Sequence, residues 1–258
     1  MNTSKNSYVI IYMIVIVVIV SLLLSITSGV LHSRQEDNMR LDTKKQILMS
    51  LSELTVEQEN KLFTDDNAAD MYAQYVKQYV MLDTVSGEIT ELDPVADFDV
   101  KPAENQLPYY IADVDGATKY IIRLDGVGLW GAIRAYVALN DDRNTIYGIY
   151  FGHASETPGL GANIVTPKFR SQFVGKQVLR DGLFASIAVM KKGQTDGTRD
   201  QVDAVSGGTI TSKGVESMFQ TSLGRYAEWL TAVEPVAEEV TDTVCEEVVE
   251  PVNEGGNE

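Results

Sequence analysis

The first part of the chain contains one long apolar run. No charged residue interrupts the segment from Tyr8 to Leu31. At ~1.5 Å per residue, about twenty apolar residues cross the ~30 Å hydrocarbon core of a bilayer. The pattern therefore predicts a short N-terminal segment, 1–7, followed by a transmembrane helix over 8–31. A cleaved signal peptide would have a shorter apolar core and a small-residue exit site, which this run lacks.

Helical periodicity continues beyond the apolar run. Over 39–54, apolar residues recur on one side and charged residues on the other, which predicts an amphipathic helix. A second helical run is predicted over 57–80, with a break near Asp65-Asp66-Asn67. Polar sequence rich in turn-forming residues begins at Gly87. We therefore expect a helical connecting region over 32–106.

From Leu107 the pattern changes to short segments rich in β-branched and aromatic residues, which are typical of strands. Turn signals such as Asp115-Gly116 and Asp125-Gly126 separate them, so neighbouring strands are expected to pair antiparallel. The predicted strands are 108–112, 119–124, 133–139, 145–151 and, later in the chain, 184–189.

A helix is predicted from Ser212 to Leu230, because apolar residues recur there at spacings of three, four and seven. The fold class is therefore α+β: one N-terminal transmembrane helix, followed by a domain over 107–232 in which an antiparallel sheet is flanked by helices.

Composition separates the last residues from this domain. The segment 233–258 contains no basic residue and two prolines. Like charges repel and its few valines cannot form a core, which predicts a disordered acidic tail. The tail contributes much of the net charge of −16. Such an acidic chain lacks the basic face that nucleic-acid binding requires, so no nucleic-acid partner is expected.

Few side chains in the sequence can bind metals or form disulfides. There is one cysteine, Cys245, and there are two histidines, His32 and His153. These counts exclude a disulfide framework and a cysteine-based zinc or iron–sulfur site within the chain, and they argue against a protein-only transition-metal site. The dinucleotide-binding string Gly-x-Gly-x-x-Gly is absent from the sequence, so direct NADH binding is not expected.

A glycine-rich stretch, Asp203-Ala-Val-Ser-Gly-Gly-Thr-Ile-Thr-Ser212, precedes the predicted C-terminal helix. Thr211 or Ser212 could cap that helix, because a hydroxyl accepts hydrogen bonds from the free N–H groups of the first turn. A helix N-terminus also suits a phosphate, since it has unpaired donors and a partial positive charge. An ordinary capped helix after a tight turn is the alternative, and it stays open at this point.

Two further glycine-rich loops carry apolar side chains. Gly126-Val-Gly-Leu-Trp-Gly131 presents Trp130, and His153-Ala-Ser-Glu-Thr-Pro-Gly-Leu-Gly-Ala162 presents Leu160. Together with the Ser-Gly-Gly-Thr stretch they could form the walls of a slot for a flat aromatic ligand. The alternative is two tight loops, each anchored by an apolar residue.

The string Asp203-Ala-Val-Ser-Gly-Gly-Thr209 resembles the flavinylation motif of the FMN-binding domain family, whose usual form is Asp-x-x-Ser/Thr-Gly-Ala-Thr. Gly208 stands where the family usually has Ala. The resemblance implies FMN in phosphoester linkage to the closing residue, Thr209. The cofactor-binding set that we expect is Trp130, Glu156, Thr157, Leu160, Gly161, Asp203, Ser206, Gly207, Gly208, Thr209 and Thr211.

The strings Gly-Leu-Trp and Glu-Thr-Pro-Gly-Leu-Gly-Ala precede this motif in the same order as in the C subunit of the Na⁺-translocating NADH:quinone oxidoreductases, which the chain resembles over roughly 8–230. The resemblance implies an electron carrier with no catalytic or metal-binding residues of its own. Its partners would be the other members of a six-subunit membrane complex, and a flavin transferase would attach the FMN.

Two alternatives remain beside this interpretation. The G subunit of the related Rnf complex shares the Glu-Thr-Pro-Gly and flavinylation elements in a generally shorter chain. A non-redox extracytoplasmic binding or assembly module would use the glycine-rich loops only structurally.

Resemblance and charge disagree about topology. In both related families the flavin domain lies outside the cytoplasm, which implies an inner-membrane protein with its soluble domain on the periplasmic side. The positive-inside rule indicates the reverse, because one lysine precedes the apolar run and four basic residues follow it. These are Lys5 before the run, and Arg34, Arg40, Lys44 and Lys45 after it.

Overall fold

The N-terminal helix does not end at the membrane boundary. The computed structural model describes residues 6–52 and 62–232, and its first helix, α1, is continuous from Asn6 to Ser50. The part from Tyr8 to His32 has a mean hydropathy of 3.2 and none of it is buried, so its length and composition fit a single-pass membrane anchor. The amphipathic helix predicted over 39–54 is not a separate element, because residues 39–50 are the last turns of α1.

Six strands form one antiparallel sheet in the order β2-β1-β3-β4-β5-β6. The four strands predicted between 108 and 151 are confirmed as β3 to β6, and Asp115 and Gly116 form the β3–β4 turn with positive φ. The strand bounds are Val76–Asp83 (β1), Ile89–Leu92 (β2), Gln106–Val114 (β3), Ala117–Val127 (β4), Ala132–Leu139 (β5) and Ile146–His153 (β6).

The helix predicted over 57–80 is wrong from residue 76 onward. Residues 57–61 of the prediction lie outside the described part of the chain, and the predicted break is confirmed by a turn at 65–67. Helix α2 covers Ala68–Tyr75, and β1 follows it directly. Val76, Tyr79 and Val80 have the spacing of a helical stripe, but β1 buries both of its faces. Tyr79 packs in the core cluster below α1, and Val80 packs in the cluster on the opposite face. Pairing with β3 therefore overrides the apparent periodicity.

Strand β2 falls in the segment that we predicted to be polar and rich in turns. It is a short edge strand of the sheet, and three of its four residues are exposed, so it lacks the alternation that marks a half-buried strand. The predicted helical connecting region, 32–106, thus contributes two strands to the sheet.

Both faces of the sheet are covered. The last turns of α1 and helix α2 cover one face, where Ile47 and Leu48 pack with Tyr110 and Tyr136. The end of α1 is held closely: the buried Arg170 guanidinium donates to the carbonyl of Ile149 at 2.7 Å and to the carbonyl of Met49 at 2.9 Å.

The C-terminal part of the chain covers the opposite face. It comprises a 3₁₀ turn at Gly161–Val165, α3 (Pro167–Arg170), β7 (Leu179–Arg180), β8 (Leu183–Phe184), β9 (Ala188–Met190), β10 (Gln201–Asp203), α4 (Thr209–Thr221), a 3₁₀ turn at Leu223–Tyr226 and α5 (Ala227–Thr231). The apolar stripe predicted for the last helix is buried, at Val215, Met218, Phe219, Leu223, Tyr226 and Leu230.

Two predictions for this part need correction. The strand predicted over 184–189 is two short strands, β8 and β9, because the buried Ser186 between them has a φ of 64° and breaks the extended backbone. The helix predicted over 212–230 begins three residues earlier, at Thr209, and a 3₁₀ turn interrupts it before α5. The predicted acidic tail, 233–258, lies outside the described residues.

The sheet has one end that is nearer to the membrane-spanning part of α1. Met39 and Arg40 border a cleft together with Gln106 and Asp125, which lie near the start of β3 and the end of β4. At the opposite end of the sheet, α1 finishes near Val114. Strands β4 and β6 both run toward the first of these ends, so the loops that follow them lie on the side from which α1 leaves the domain.

Candidate functional site: three glycine-rich segments around Glu156

Three glycine-rich segments meet at a single carboxylate. The Trp130 turn comprises residues 128–131 between β4 and β5, the Leu160 loop comprises residues 154–163 after β6, and the Thr209 loop comprises residues 204–209 between β10 and α4. Glu156, in the Leu160 loop, bonds to the Trp130 turn and to the first turn of α4, and it is only 4% exposed.

Glu156 joins these elements through separate oxygens. Its Oε1 accepts a hydrogen bond from the backbone N–H of Trp130 at 2.8 Å, and its Oε2 accepts one from the Thr211 hydroxyl at 2.5 Å. The neighbouring Ser155 hydroxyl donates to the carbonyl of Trp130 at 2.9 Å. The side chains of two consecutive residues therefore fix the Trp130 turn.

The negative charge of Glu156 is stabilised in its buried position. Burial opposes ionisation, but the Thr211 hydroxyl and the backbone N–H groups of Trp130 and Leu129 donate to the carboxylate. Their combined effect is larger and holds the pKa of Glu156 below its usual value. Among the residues that the structure describes, Glu156 is the only acidic side chain that is buried.

Glycines make room for this arrangement. A Cβ at Gly128 would lie 2.5 Å from Oε1 of Glu156, and a Cβ at Gly161 would collide with Oε2 of Glu156 and with the Thr211 hydroxyl. Gly207 has a φ of 73°, in the left-handed region that favours glycine. The three segments can approach one another this closely only because these positions lack side chains.

The N-terminus of α4 has no side-chain cap. Its N-cap residue is Gly208, and Thr209 is the first helical residue. The prediction that Thr211 or Ser212 caps this helix is wrong, because both residues are buried inside it. Thr211 donates to Glu156, and the Ser212 hydroxyl oxygen accepts from the N–H of Val205 at 3.0 Å, a bond that closes the Thr209 loop.

The two threonines near the end of the motif differ in accessibility. Thr209 is exposed at the start of α4. Thr211 is 1% exposed, and its hydroxyl is bonded to Glu156. Of the two, Thr209 alone is exposed to solvent.

The remaining predicted site residues divide into an exposed group and a buried group. Trp130 is 65% exposed and Leu160 is 44% exposed, and a Cβ at Gly207 would lie 2.5 Å from Cδ2 of Leu160, so that this side chain covers Gly207. The exposed group is Trp130, Thr157, Leu160, Ser206, Gly207 and Thr209, and the buried group is Glu156, Gly161, Gly208 and Thr211.

Asp203 is half-buried and is held through its backbone. Its N–H donates to Oε1 of Gln172 at 2.8 Å, and its carbonyl accepts from Nε2 of Gln172 at 3.4 Å. Sequence analysis missed the bonds made by Ser155, Gln172 and Ser212. The bonds of Ser155 and Gln172 join chain segments that only the fold brings together. The bond of Ser212 depends on where α4 begins, which the apolar pattern does not show.

The exposed surface suits a flat ligand that carries a phosphate. The first N–H groups of α4 have no acceptor within the helix, and no side chain caps them, so they are available to an anion. Two exposed apolar side chains lie at this end of the helix: Ile210 is its second residue, and Leu160 packs against Gly207. The exposed Trp130 belongs to the turn that Glu156 connects to α4. Within residues 6–52 and 62–232, no group of three or more His, Cys, Asp or Glu side chains could hold a metal ion.

Comparison with known proteins agrees with this geometry. The FMN-binding domain family matches residues 128–224, which include all three glycine-rich segments. Two curated relatives are both described as the C subunit of a Na(+)-translocating NADH-quinone reductase. The one from Vibrio anguillarum is 38% identical over 125 residues, which is 48% of this chain and 49% of the relative. The one from Haemophilus ducreyi is 26% identical over 245 residues, 86% of this chain and 91% of the relative.

Solved structures extend the likeness to most of the chain. The crystal structure of the C subunit of the Na(+)-translocating NADH-quinone reductase from Parabacteroides distasonis shares 39% identity with a TM-score of 0.68 and covers 79% of this chain and 98% of its own. Shewanella oneidensis NqrC shares 26% identity with a TM-score of 0.57 and covers 74% and 95%. By contrast, the chain matches only about half the length of the Vibrio relatives.

The six-stranded sheet and the three glycine-rich segments define an FMN-binding domain that follows an N-terminal apolar helix. Within that class, the chain belongs to the NqrC family, the C subunits of the Na⁺-translocating NADH-quinone reductases.

Proposed function

We propose that the protein is a membrane-anchored flavoprotein that carries FMN on Thr209 and relays electrons as one subunit of a Na⁺-translocating NADH:quinone oxidoreductase. The observation that carries the proposal is the contrast between Thr209, exposed at an uncapped helix N-terminus, and Thr211, buried against Glu156. The flavin supplies the redox chemistry, and the chain supplies attachment, orientation and electrostatic environment.

The residues have distinct tasks in this proposal. The Thr209 hydroxyl forms the phosphoester, and the N–H groups at the start of α4 bind the phosphate oxygens. Trp130, Thr157 and Leu160 border the isoalloxazine, while Ser206, Gly207 and Gly208 let the backbone approach the phosphate. Asp203 holds the entry to the loop through its bonds to Gln172.

The partners and location follow from the family. The chain would work with the other members of a six-subunit assembly in the inner membrane, with its domain on the periplasmic side. A flavin transferase would attach the FMN. Other subunits would bind NADH, since this chain lacks the dinucleotide-binding string. The similar proteins are named as the C subunit of the reductase and not as the G subunit of the Rnf complex, which favours this assignment over that rival.

Intact-mass measurement of the full chain tests the proposal. Produced together with a flavin transferase, the wild-type chain should gain the mass of one FMN less one water, and Thr209→Ala should gain nothing. Thr211→Ala should keep most of the adduct, because Thr211 is buried. A wild-type chain without an adduct would favour the non-redox binding module, and an adduct on Thr209→Ala would contradict the attachment site.

A further inference from the structure

Glu156 places one negative charge close to all parts of the candidate site. It lies beneath the exposed surface of the three segments, and both of its oxygens accept hydrogen bonds within the protein. Through Thr211 it reaches the same first turn of α4 that begins with Thr209. A group on Thr209 would therefore lie on the same helical turn as the residue that is bonded to this buried negative charge.

Hydrogen bonds stabilise this charge more than cations do, and the one charge effect that lowers the pKa of Glu156, from His153, is smaller than those bonds. The groups that bond to the carboxylate are a hydroxyl and backbone N–H groups, which are neutral. His153 also faces Glu156, and its Nδ1 accepts from the backbone N–H of Glu156 at 3.3 Å. The carboxylate on α4 itself, Glu216, is instead paired with Arg199 at 2.7 Å and with Lys213 at 2.6 Å.

We infer that Glu156 is a positioning residue that ties the Trp130 turn to α4 and whose negative charge lowers the reduction potential of a flavin on Thr209. The inference rests on the FMN attachment proposed above. A fixed negative charge disfavours the addition of electrons nearby. At an effective dielectric constant of ~20 and a separation of ~10 Å, the effect on the ratio of oxidised to reduced flavin is about tenfold or somewhat more.

Glu156→Gln removes the negative charge of the side chain but keeps its size and shape. Glutamine has the same reach, accepts from the N–H of Trp130 through its oxygen and donates to the Thr211 hydroxyl, so the tie is kept while the charge is lost. Redox titration of the purified full-length, FMN-carrying chain should show a higher midpoint potential. A tenfold change corresponds to ~59 mV for a one-electron couple. Circular dichroism and FMN content should match the wild type.

Glu216→Gln is the matched control. It makes the same chemical change on α4, but at a carboxylate that cations already neutralise, and we expect the flavin potential to stay at the wild-type value. Equal potentials in Glu156→Gln and the wild type would overturn the inference. So would a shift of the same size in Glu216→Gln, because the effect would then not be specific to the buried charge.

The tie itself can be measured without flavin. The chain contains two tryptophans, and Trp229→Phe leaves Trp130 as the only fluorophore of this kind. In that background, produced without a flavin transferase, Thr211→Val should lower the fluorescence anisotropy of Trp130, while Thr211→Ser, which keeps the hydroxyl, should not. Equal anisotropy in the two variants would overturn the positioning role, even if Glu156→Gln fails to fold.

These measurements distinguish the two proposals. If the wild-type chain carries FMN on Thr209 and Glu156→Gln leaves its potential unchanged, only the inference about Glu156 fails. If the wild-type chain acquires no FMN, the proposed function fails and the redox effect of Glu156 fails with it. The anisotropy experiment still decides the structural tie in that case.

Discussion

Gly208 lies directly against Gly161, so that a Cβ on Gly208 would approach the Cα of Gly161 to 3.1 Å. Gly208→Ala, which restores the residue usual in the flavinylation motif, should therefore be accommodated by a small shift of the Leu160 loop. Alanine is also a poorer N-cap residue than glycine, and we expect a loss of about 1 kcal/mol in the free energy of unfolding. The mass of one FMN should still be found on the chain.

Gly161→Ala should be much more damaging than Gly208→Ala. Its Cβ would collide with the Glu156 carboxylate and the Thr211 hydroxyl and so break a buried hydrogen-bonded pair, at a cost of roughly 2–3 kcal/mol. Gly197→Ala is the control, since no heavy atom lies within 4 Å of a Cβ there. Chemical denaturation of all three variants checks the order, and a Gly161→Ala variant as stable as Gly197→Ala would contradict it.

Ionised Glu156 should stabilise the protein only above a certain pH. Its folded-state pKa lies below the unfolded value of about 4.3, so the contribution is fully present above that value and is lost as pH falls through the folded-state pKa. The difference in free energy of unfolding between the wild type and Glu156→Gln should therefore be larger at pH 6 than at pH 3. His153, which faces Glu156, is present in both the wild type and the variant. If the difference in free energy of unfolding does not change with pH, Glu156 is not the ionised group that stabilises the fold.

Truncation of the exposed side chains should alter the flavin and leave the fold intact. Trp130 and Leu160 are exposed, so Trp130→Ala and Leu160→Ala remove little buried surface. An aromatic contact contributes about 0.5–1.5 kcal/mol beyond area burial, and a difference of ~1.4 kcal/mol between redox states moves a one-electron potential by ~59 mV. Each variant should shift the flavin potential by tens of millivolts while Thr209 stays modified. Redox titration and absorbance spectra that match the wild type in both variants would remove these side chains from the flavin site.

Arg170 should be important for holding the domain on α1. Its guanidinium is buried and donates to the carbonyls of Met49 and Ile149, which belong to α1 and β6. Arg170→Met fills similar space without donors, removes this donor from a buried and a part-buried carbonyl and should lower the free energy of unfolding by about 1.5–3 kcal/mol. Exposed Arg180, changed to Met in the same way, should have little effect on denaturation. Similar losses in the two variants would argue against the tie.

The side of the membrane on which the domain lies can be tested with a single thiol. Cys245 is the only cysteine, so Cys245→Ser provides a background into which Lys191→Cys, at an exposed loop position, introduces one accessible thiol. With a periplasmic domain, a membrane-impermeant thiol reagent that passes the outer membrane should label intact cells. Labelling only after lysis would place the domain in the cytoplasm, as the positive-inside count indicates.

Local patterns predicted the elements whose neighbours in sequence are also their neighbours in space. Strands β3 to β6 pair with the next strand along the chain, and their content of β-branched and aromatic residues was sufficient to identify them. The predicted turn at Asp125-Gly126 is wrong, because both residues lie in β4 and pair with β5. Strand β1 pairs with β2 and β3 but is buried on both faces, so its apolar positions resemble a helical stripe. Strand β2 gave no signal because it is a short, exposed edge strand.

The sequence indicated which residues belong to the candidate site, but it did not indicate which of them contact one another. The motif indicated Thr209, and the glycine-rich loops indicated Trp130 and Leu160. No sequence pattern indicated that Glu156 bonds to a hydroxyl 55 residues away, since that contact depends on how the chain segment after β6 packs against α4. The predicted cofactor-binding set also includes Glu156 and Thr211, and the sequence gives no sign that both are buried.

The continuous helix α1 limits where a group on Thr209 can travel. From His32 to Arg40, where it reaches the near end of the sheet, the helix extends about 12 Å at ~1.5 Å per residue and is not interrupted. The loops of the site lie at the end of the sheet that is nearer to the bilayer. A helical spacer holds its two ends at a nearly constant separation, whereas a flexible chain samples many. A cofactor on this domain would therefore meet redox centres often only if they lie at one height above the membrane. The length of the helix would thus determine which redox centres can exchange electrons with it.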